Sequence, residues 1–247
     1  STLLKIPILK RLIPSLAIKV LKFIKKNRGY FRIENTLMYL DFLDPIDREI
    51  ILYQKFESEE VLELLNLMQK NSIKQFFDVG ANCGYYSIKI LNKISDAKVI
   101  AFEPNKEAYS KLKKTISVND KFTKKIKIEN FGLSNQNASL KMKFLKKHNY
   151  NQTGGSSVIE NFEFNNENFY ANFKIGDEIL NFKNQKLCFK IDVERHEINV
   201  IEGLKRTIKN NKSLILIEIY EENYYQMNKI LNELGFNQIK KFKERSN

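Results

Sequence analysis

Residues 75–90, QFFDVGANCGYYSIKI, constrain this chain more than any other stretch. A short apolar run (Phe76, Phe77, Val79) carries Asp78 and breaks into Gly80-Ala81-Asn82-Cys83-Gly84, after which Tyr86, Ile88, Ile90 and Leu91 resume at helical spacing. The pattern predicts a buried strand, a glycine turn and a helix. Glycine lets backbone approach a ligand closely, and a helix starting near Gly84 aims unpaired N–H groups over the turn, which favours a carboxylate or phosphate. The next apolar run, 98–102, ends on Glu103-Pro104. An acid at the end of the second strand of a doubly wound sheet is placed to hydrogen-bond the two hydroxyls of a ribose. The turn lacks the G-x-G-x-x-G spacing that admits a pyrophosphate, so a dinucleotide is disfavoured.

The rest of the chain alternates in the same way. Strands are expected at 76–79, 98–102, 126–130, 187–191 and 214–219, helices at 84–93, 105–117, 197–209 and 222–234, and a last strand at 236–242. This is the signature of an α/β fold with a doubly wound, mostly parallel sheet. Upstream, 30–57 holds a strand or two before Asp44-Pro45 opens a helix. Ser58 is expected to cap an amphipathic helix through Val61, Leu62, Leu65 and Met68. Residues 139–144 and 173–175 can pair as extra strands, and between them 146–170 is polar, Asn-rich and read as a binding loop or lid. The chain divides into a basic extension, 1–70, packed on a domain of 71–247.

The formal net charge of +13 is uneven, because residues 1–35 hold nine Lys or Arg against one acid, Glu34. After Pro14, Leu16, Val20, Phe23 and Ile24 share one helical face while Lys19, Lys22 and Lys26 lie on another. No run there is long enough to span a bilayer, and Lys10, Arg11 and Lys19 interrupt any secretory core. The helix is expected to pack on the domain or on a second subunit of a homo-oligomer. The alternative is peripheral contact with an anionic membrane or a polyanionic substrate. Cys83 and Cys188 lie on elements of different role, which points to the reducing cytoplasm, with the inner face of the membrane as the alternative. Cys83 reads as a small turn residue. The Lys-rich stretches 105–117 and 124–127 read as solvated faces, with aromatics too sparse for a base-stacking platform.

Gly-x-x-x-Gly after an Asp-bearing strand, with an acid about twenty residues on, resembles motif I of the class I S-adenosylmethionine-dependent methyltransferases. Further motifs follow in order: Glu103-Pro104-Asn105, Asn130 with Leu133-Ser134, Gly154-Gly155-Ser156-Ser157, Asp177-Glu178-Ile179-Leu180, and Lys190-Ile191-Asp192-Val193-Glu194 with Glu197. Together they resemble the FkbM family over residues 53–218, methyltransferases that mostly O-methylate sugars and polyketide-derived products. The resemblance implies a class I methyltransferase fold with S-adenosylmethionine held by Asp78, Gly80, Ala81, Asn82, Gly84, Tyr86, Ser87, Glu103, Pro104, Asn130, Gly132 and Asp192. It assigns the acceptor, a hydroxyl of a sugar, nucleotide-activated sugar or glycan precursor, to Gly155, Ser156, Ser157 and Arg195. The chain departs from the family at Arg195, where Gly is usual, at Ile175-Gly176, where Thr-Leu is usual, and in a short C-terminal end.

Methyl transfer needs a held donor, an in-line acceptor and a way to remove the acceptor proton. In this fold the acceptor lies over the ends of strands four and five, which makes Asp192, Glu194 and His196 the base candidates. His196 suits the task because an unperturbed imidazole titrates near pH 6.5. His148 lies in the polar loop. Asp192 and Glu218 end neighbouring strands and form a candidate Mg²⁺ pair that would activate the acceptor hydroxyl. Two other classes compete. A nucleic-acid (RNA) methyltransferase would use the basic arm, but the Asn/Asp-Pro-Pro-Tyr/Phe motif of base amino-methylation is absent and charge alone supports only nonspecific affinity. A non-catalytic binding protein is opposed by the intact Gly80, Gly84, Glu103 and Asp192.

Overall fold

The computed structural model describes residues 27–147, 150–158 and 168–242. The basic N-terminal helix expected after Pro14 lies outside the described residues, as does His148. Strands β1 (Arg28–Ile33) and β2 (Thr36–Asp41) form an antiparallel hairpin. Asp44 then caps α1 (Pro45–Tyr53): its side chain accepts from the amides of Ile46 and Asp47, and Pro45 supplies a pre-set first turn. Helix α2 (Ser58–Lys70) begins from Glu57 in the left-handed region, so Ser58 is the first helical residue and not the cap expected of it. Its buried stripe is Val61, Leu64, Leu65 and Met68, an i, i+3, i+4, i+7 set that leaves Leu62 exposed, against expectation.

Next come β3 (Gln75–Val79), α3 (Tyr85–Lys93), β4 (Lys98–Phe102), α4 (Lys106–Ser117), the single turn α5 (Asp120–Thr123) and β5 (Ile126–Glu129). A second group follows: β6 (Gly132–Ser134), β7 (Ala138–Lys147), β8 (Tyr150–Val158), β9 (Asn168–Ile175) and the short α6 (Gly176–Ile179). The chain returns through β10 (Lys186–Ile191), α7 (Glu197–Gly203), α8 (Lys205–Lys209), β11 (Lys212–Ile217) and α9 (Tyr224–Glu233). The main sheet has the order β11-β10-β3-β4-β5, every pair parallel. Strand order reverses between β3 and β10, so the ends of those strands open a crevice there.

Alternation along β3 explains the two layers. Phe76 joins a core of Ile88, Ile90 and Val99 together with Met38, Leu40, Ile50, Leu64 and Met68. Phe77, its neighbour, joins the opposite core with Phe189, Ile191, Val200, Ile201, Leu204 and Met227. Residues 33–68 therefore bury their apolar faces against the same sheet as the rest of the chain.

Three expectations are corrected. Much of 146–170 is strand: a second sheet has the order β6-β9-β7-β8, with β7 antiparallel to both neighbours. Its β8 strand carries Thr153, Gly154, Gly155 and Ser156 where period-two hydrophobicity would be needed to reveal it. The helix expected over 197–209 breaks into α7 and α8, and a Cβ on Gly203 would sit 1.9 Å from the Ser134 carbonyl oxygen, so the helix end is pressed on β6. Finally, no strand forms over 236–242, where Lys240 instead pairs with Glu59 and Glu63 on α2. No helix among the described residues is long and apolar enough to cross a membrane.

Candidate active site

The glycine turn sits at the sheet's switch point, and its shape is dictated by what it packs against. Gly80 (φ +79°) and Gly84 (φ +83°) are both left-handed, and a Cβ would meet the Asp192 carbonyl oxygen at 1.9 Å at the first and Leu112 Cδ1 at 2.4 Å at the second. The glycines thus serve close packing of the turn on β10 and α4. The amides of Gly80 and Ala81 both donate to the Phe102 carbonyl at 3.0 Å, which pins the turn to the end of β4. Buried Asp78 accepts from the amide and hydroxyl of Ser87, at 3.1 and 2.6 Å, and so anchors the first turn of α3 from beneath. Among the described residues, the amides of Cys83, Tyr85 and Tyr86 have no protein acceptor. They are the open donors of a helix N-terminus.

Glu103 closes the other side. Its Oε2 accepts from the Asn82 amide at 2.7 Å and its Oε1 from the Asn105 amide at 2.8 Å. Burial pushes this carboxyl up to about 7, against the pull of those two amides. Asn130 supports the turn after Glu103, its Nδ2 donating to the carbonyls of Glu103 (2.9 Å) and Pro104 (3.3 Å). A cleft opens between these groups, with about 840 Å³ of empty space that includes the open solvent at its mouth. Met142, Thr153, Ser156, Val158 and Phe173 of the second sheet roof it over.

Beside the turn, on its β10 side, stand the residues after β10 and β11. Lys190 Nζ donates to Asp192 Oδ2 at 2.9 Å and to the Gly80 carbonyl at 3.1 Å. Burial works against this ammonium, yet Asp192 and Asp78 keep it charged, above its ordinary range. Burial also penalises the Asp192 carboxylate, but Lys190 and a hydrogen bond from Glu218 outweigh that and hold it low. Glu218 is raised to about 9, first by desolvation and then by the Asp192 charge. Asp192 thus already carries an ammonium on one oxygen, and the Glu218 carboxyl beyond it is pushed toward its protonated form. That donor set does not fit Mg²⁺, which wants several free hard oxygens. No cluster of three or more His, Cys, Asp or Glu suited to a metal exists among the described residues.

Glu194 lines the cleft and accepts a hydrogen bond from Tyr220 Oη at 2.5 Å; burial raises its carboxyl, with the Tyr220 bond pulling the other way. Glu194 and Arg195 both have positive φ, 53° and 77°. Glu197 holds this strained loop by accepting the amides of Val193 (3.2 Å) and Arg195 (3.1 Å). Arg195 turns outward, paired with Glu222 at 2.6 Å and over the Tyr220 ring at 4.6 Å, so the structure does not bring it to the cleft wall. His196 is also turned away. Its Nε2 lies 2.9 Å from Ser134 Oγ and its ring packs edge-on to Phe173, and burial pushes its pKa down to about 4. It fills the space between α7 and the second sheet, behind Phe173 of the cleft wall.

Of the residues expected at the site, the cleft wall gathers Gly80, Ala81, Asn82, Tyr86, Glu103, Pro104, Gly132, Asp192, Glu194 and Ser156. Gly84, Asp78, Ser87 and Asn130 stand behind it; Gly155, Ser157, Arg195, His196 and Glu218 are not on it. Sequence reasoning gave no role to several contributors, among them Tyr220, Lys190, Thr153 and Glu57. Lys190 opens the quoted 190–194 motif without being given a role, Tyr220 stands two residues after Glu218, and Thr153 directly precedes Gly154. Glu57, whose Oε2 accepts from Tyr86 Oη at 2.7 Å, gave no signal at all.

Residues 78–238 match the model of the methyltransferase FkbM domain. No curated protein matches the chain. Among solved structures, methyltransferase FkbM from Methylobacillus flagellatus KT is similar at 16% identity and TM-score 0.47, over 64% of this chain and 37% of that one. A precorrin-6y C5,15-methyltransferase from Geobacter metallireducens GS-15 is similar at 10% identity and TM-score 0.45, over 83% and 82%. The METTL16 MTase domain is similar at 9% identity and TM-score 0.44, over 91% and 84%. The chain thus spans little more than a third of the M. flagellatus protein. The domain match, in contrast, runs from the acid of β3 to beyond α9, well over half of the chain, and by it the chain belongs to the FkbM family of methyltransferases.

Proposed function

We propose that the protein is an S-adenosylmethionine-dependent O-methyltransferase acting on a hydroxyl of a sugar, a nucleotide-activated sugar or a glycan precursor. The observation that carries this reading is that one cleft is lined both by the glycine turn with Glu103 and by Asp192 with Glu194. The open amides of Cys83, Tyr85 and Tyr86 suit the donor's carboxylate, and Glu103 suits its ribose hydroxyls. The residues present therefore fit the cofactor, which when bound supplies an electrophilic methyl group.

The chain's own part is orientation and proton removal. Glu194 is the base: it lines the cleft, burial raises its basicity, and Tyr220 fixes its carboxyl plane. Asp192, held ionised by Lys190, accepts a second acceptor hydroxyl and sets the angle of approach. Tyr86, Tyr85 and Phe56 give the wall apolar faces that exclude water. Incubation with radiolabelled S-adenosylmethionine and a panel of monosaccharides, nucleotide sugars and RNA tests the reading. Label in the sugar arm supports it, and label confined to RNA moves the protein to the nucleic-acid class.

A further inference from the structure

The ladder between β7 and β8 breaks next to the cleft. Lys143 lies opposite Ser157 and Leu145 opposite Gln152, so a single β7 residue faces the four residues Thr153, Gly154, Gly155 and Ser156. Two adjacent glycines allow such a bulge, and bulges beside clefts re-aim side chains. Here the bulge folds back on itself, with Ser156 Oγ 3.3 Å from the Thr153 carbonyl oxygen, and carries both hydroxyls to the same place.

That place is the pair of asparagines whose backbone amides hold Glu103. The two amides on its oxygens belong to Asn82 and Asn105, and the side chains of those asparagines are the ones the bulge touches. Thr153 Oγ1 lies 3.0 Å from Asn82 Oδ1, and Asn105 Nδ2 donates to Ser156 Oγ at 3.0 Å. Thr153 is anchored in turn. Its amide and hydroxyl both reach Asp44 Oδ2, at 3.0 and 2.8 Å, while Lys111 Nζ donates to Thr153 Oγ1 at 2.9 Å and to Asp47 Oδ2 at 2.7 Å. Thr153, Asp44, Asp47 and Lys111 are all buried. An ammonium and two carboxylates out of water are costly unless their geometry is kept, so the node is stiff.

We propose that Thr153 and Ser156 are positioning residues for Glu103: through Asn82 and Asn105 the β8 bulge fixes the carboxylate that takes the donor's ribose, and so sets donor affinity. The proposal rests on the reading of Glu103 given above. A purely architectural role for the bulge would make its effect independent of Glu103, and that difference is measurable.

The test is calorimetric affinity for S-adenosylhomocysteine in the wild type and in Thr153→Val, Thr153→Ser and Ser156→Ala, each with Glu103 and with Glu103→Gln. Thr153→Val and Ser156→Ala are each expected to weaken binding about tenfold, equivalent to about 1.4 kcal/mol, with Thr153→Ser near wild type. With Glu103→Gln already present, the same changes should add little, because their route to the ligand is gone. Equal losses in both backgrounds, or no loss in either, overturn the proposal while leaving the donor reading intact. A wild type that does not bind S-adenosylhomocysteine overturns both. Should Thr153→Val fail to fold, Ser156→Ala at a half-exposed position carries the same comparison.

Discussion

Tyr220 Oη donates to Glu194 Oε2 across 2.5 Å, joining the loop after β11 to the loop after β10 at the mouth of the cleft. This bond lowers the Glu194 carboxyl against the raising effect of burial. Replacing Tyr220 by Phe should therefore lower kcat more than it raises KM and shift the acid limb of the pH–rate profile to higher pH. Glu194→Gln should cost about 10²–10⁴ in kcat, the usual range for a general base. A Tyr220→Phe profile superimposable on wild type would remove Glu194 from the role.

Chelation should not matter. Lys190 already occupies one Asp192 oxygen at 2.9 Å, and desolvation and the Asp192 charge push the Glu218 carboxyl up to about 9. Turnover is expected to be unchanged in EDTA and unaffected by added Mg²⁺. Activity lost to chelator and restored by Mg²⁺ would contradict this account of the pair.

Gly80→Ala tests the packing of the turn. At φ +79° with the Asp192 carbonyl oxygen 1.9 Å from the new carbon, the substitution should cost about 2–5 kcal/mol from backbone strain and overpacking together. Chemical denaturation measures it directly. A loss below about 0.5 kcal/mol, the range of ordinary surface changes, would mean the turn is free to relax.

His196 should make itself felt in stability and not in the chemistry. Its pKa is pushed below the ordinary value, to about 4, by burial. The unfolded chain therefore binds the extra proton first: His196 is neutral in both states above about pH 6.5, and stability falls as pH drops from there toward 4. The wild type should lose more stability over that window than His196→Asn, while kcat keeps the same pH profile between 6 and 8. A kcat limb near 6.5 that vanishes in the variant would restore His196 as the base.

The parallel sheet was legible because buried strands such as 76–79 and 187–191 are apolar runs flanked by turn residues, and Phe76 and Phe77 need only a period of two to reach opposite cores. The glycine turn was legible too, although its glycines answer to Asp192 and Leu112 more than to a ligand. The bulge at 153–156 was not. Polar residues around two glycines look like a loop, and what they hydrogen-bond lies 109 residues away at Asp44 and 71 away at Asn82. Arg195 and His196 follow a strand end directly, where no periodicity says which way a side chain turns; one went outward to Glu222 and the other under to Ser134.

The central claim is that a ribose-bearing methyl donor sits between the glycine turn and Glu103, and donor affinity across pH tests it most directly. Glu103 is pushed up to about 7, and ribose hydroxyls are bound by its ionised form, so calorimetric affinity for S-adenosylmethionine should rise as pH increases from 6 to 8. In Glu103→Ala that pH dependence should vanish and binding should weaken by about 2–4 kcal/mol, the loss of one or two charged hydrogen bonds. Affinity in Glu103→Ala equal to wild type at every pH, or selective binding of NAD in place of S-adenosylmethionine, would contradict the account.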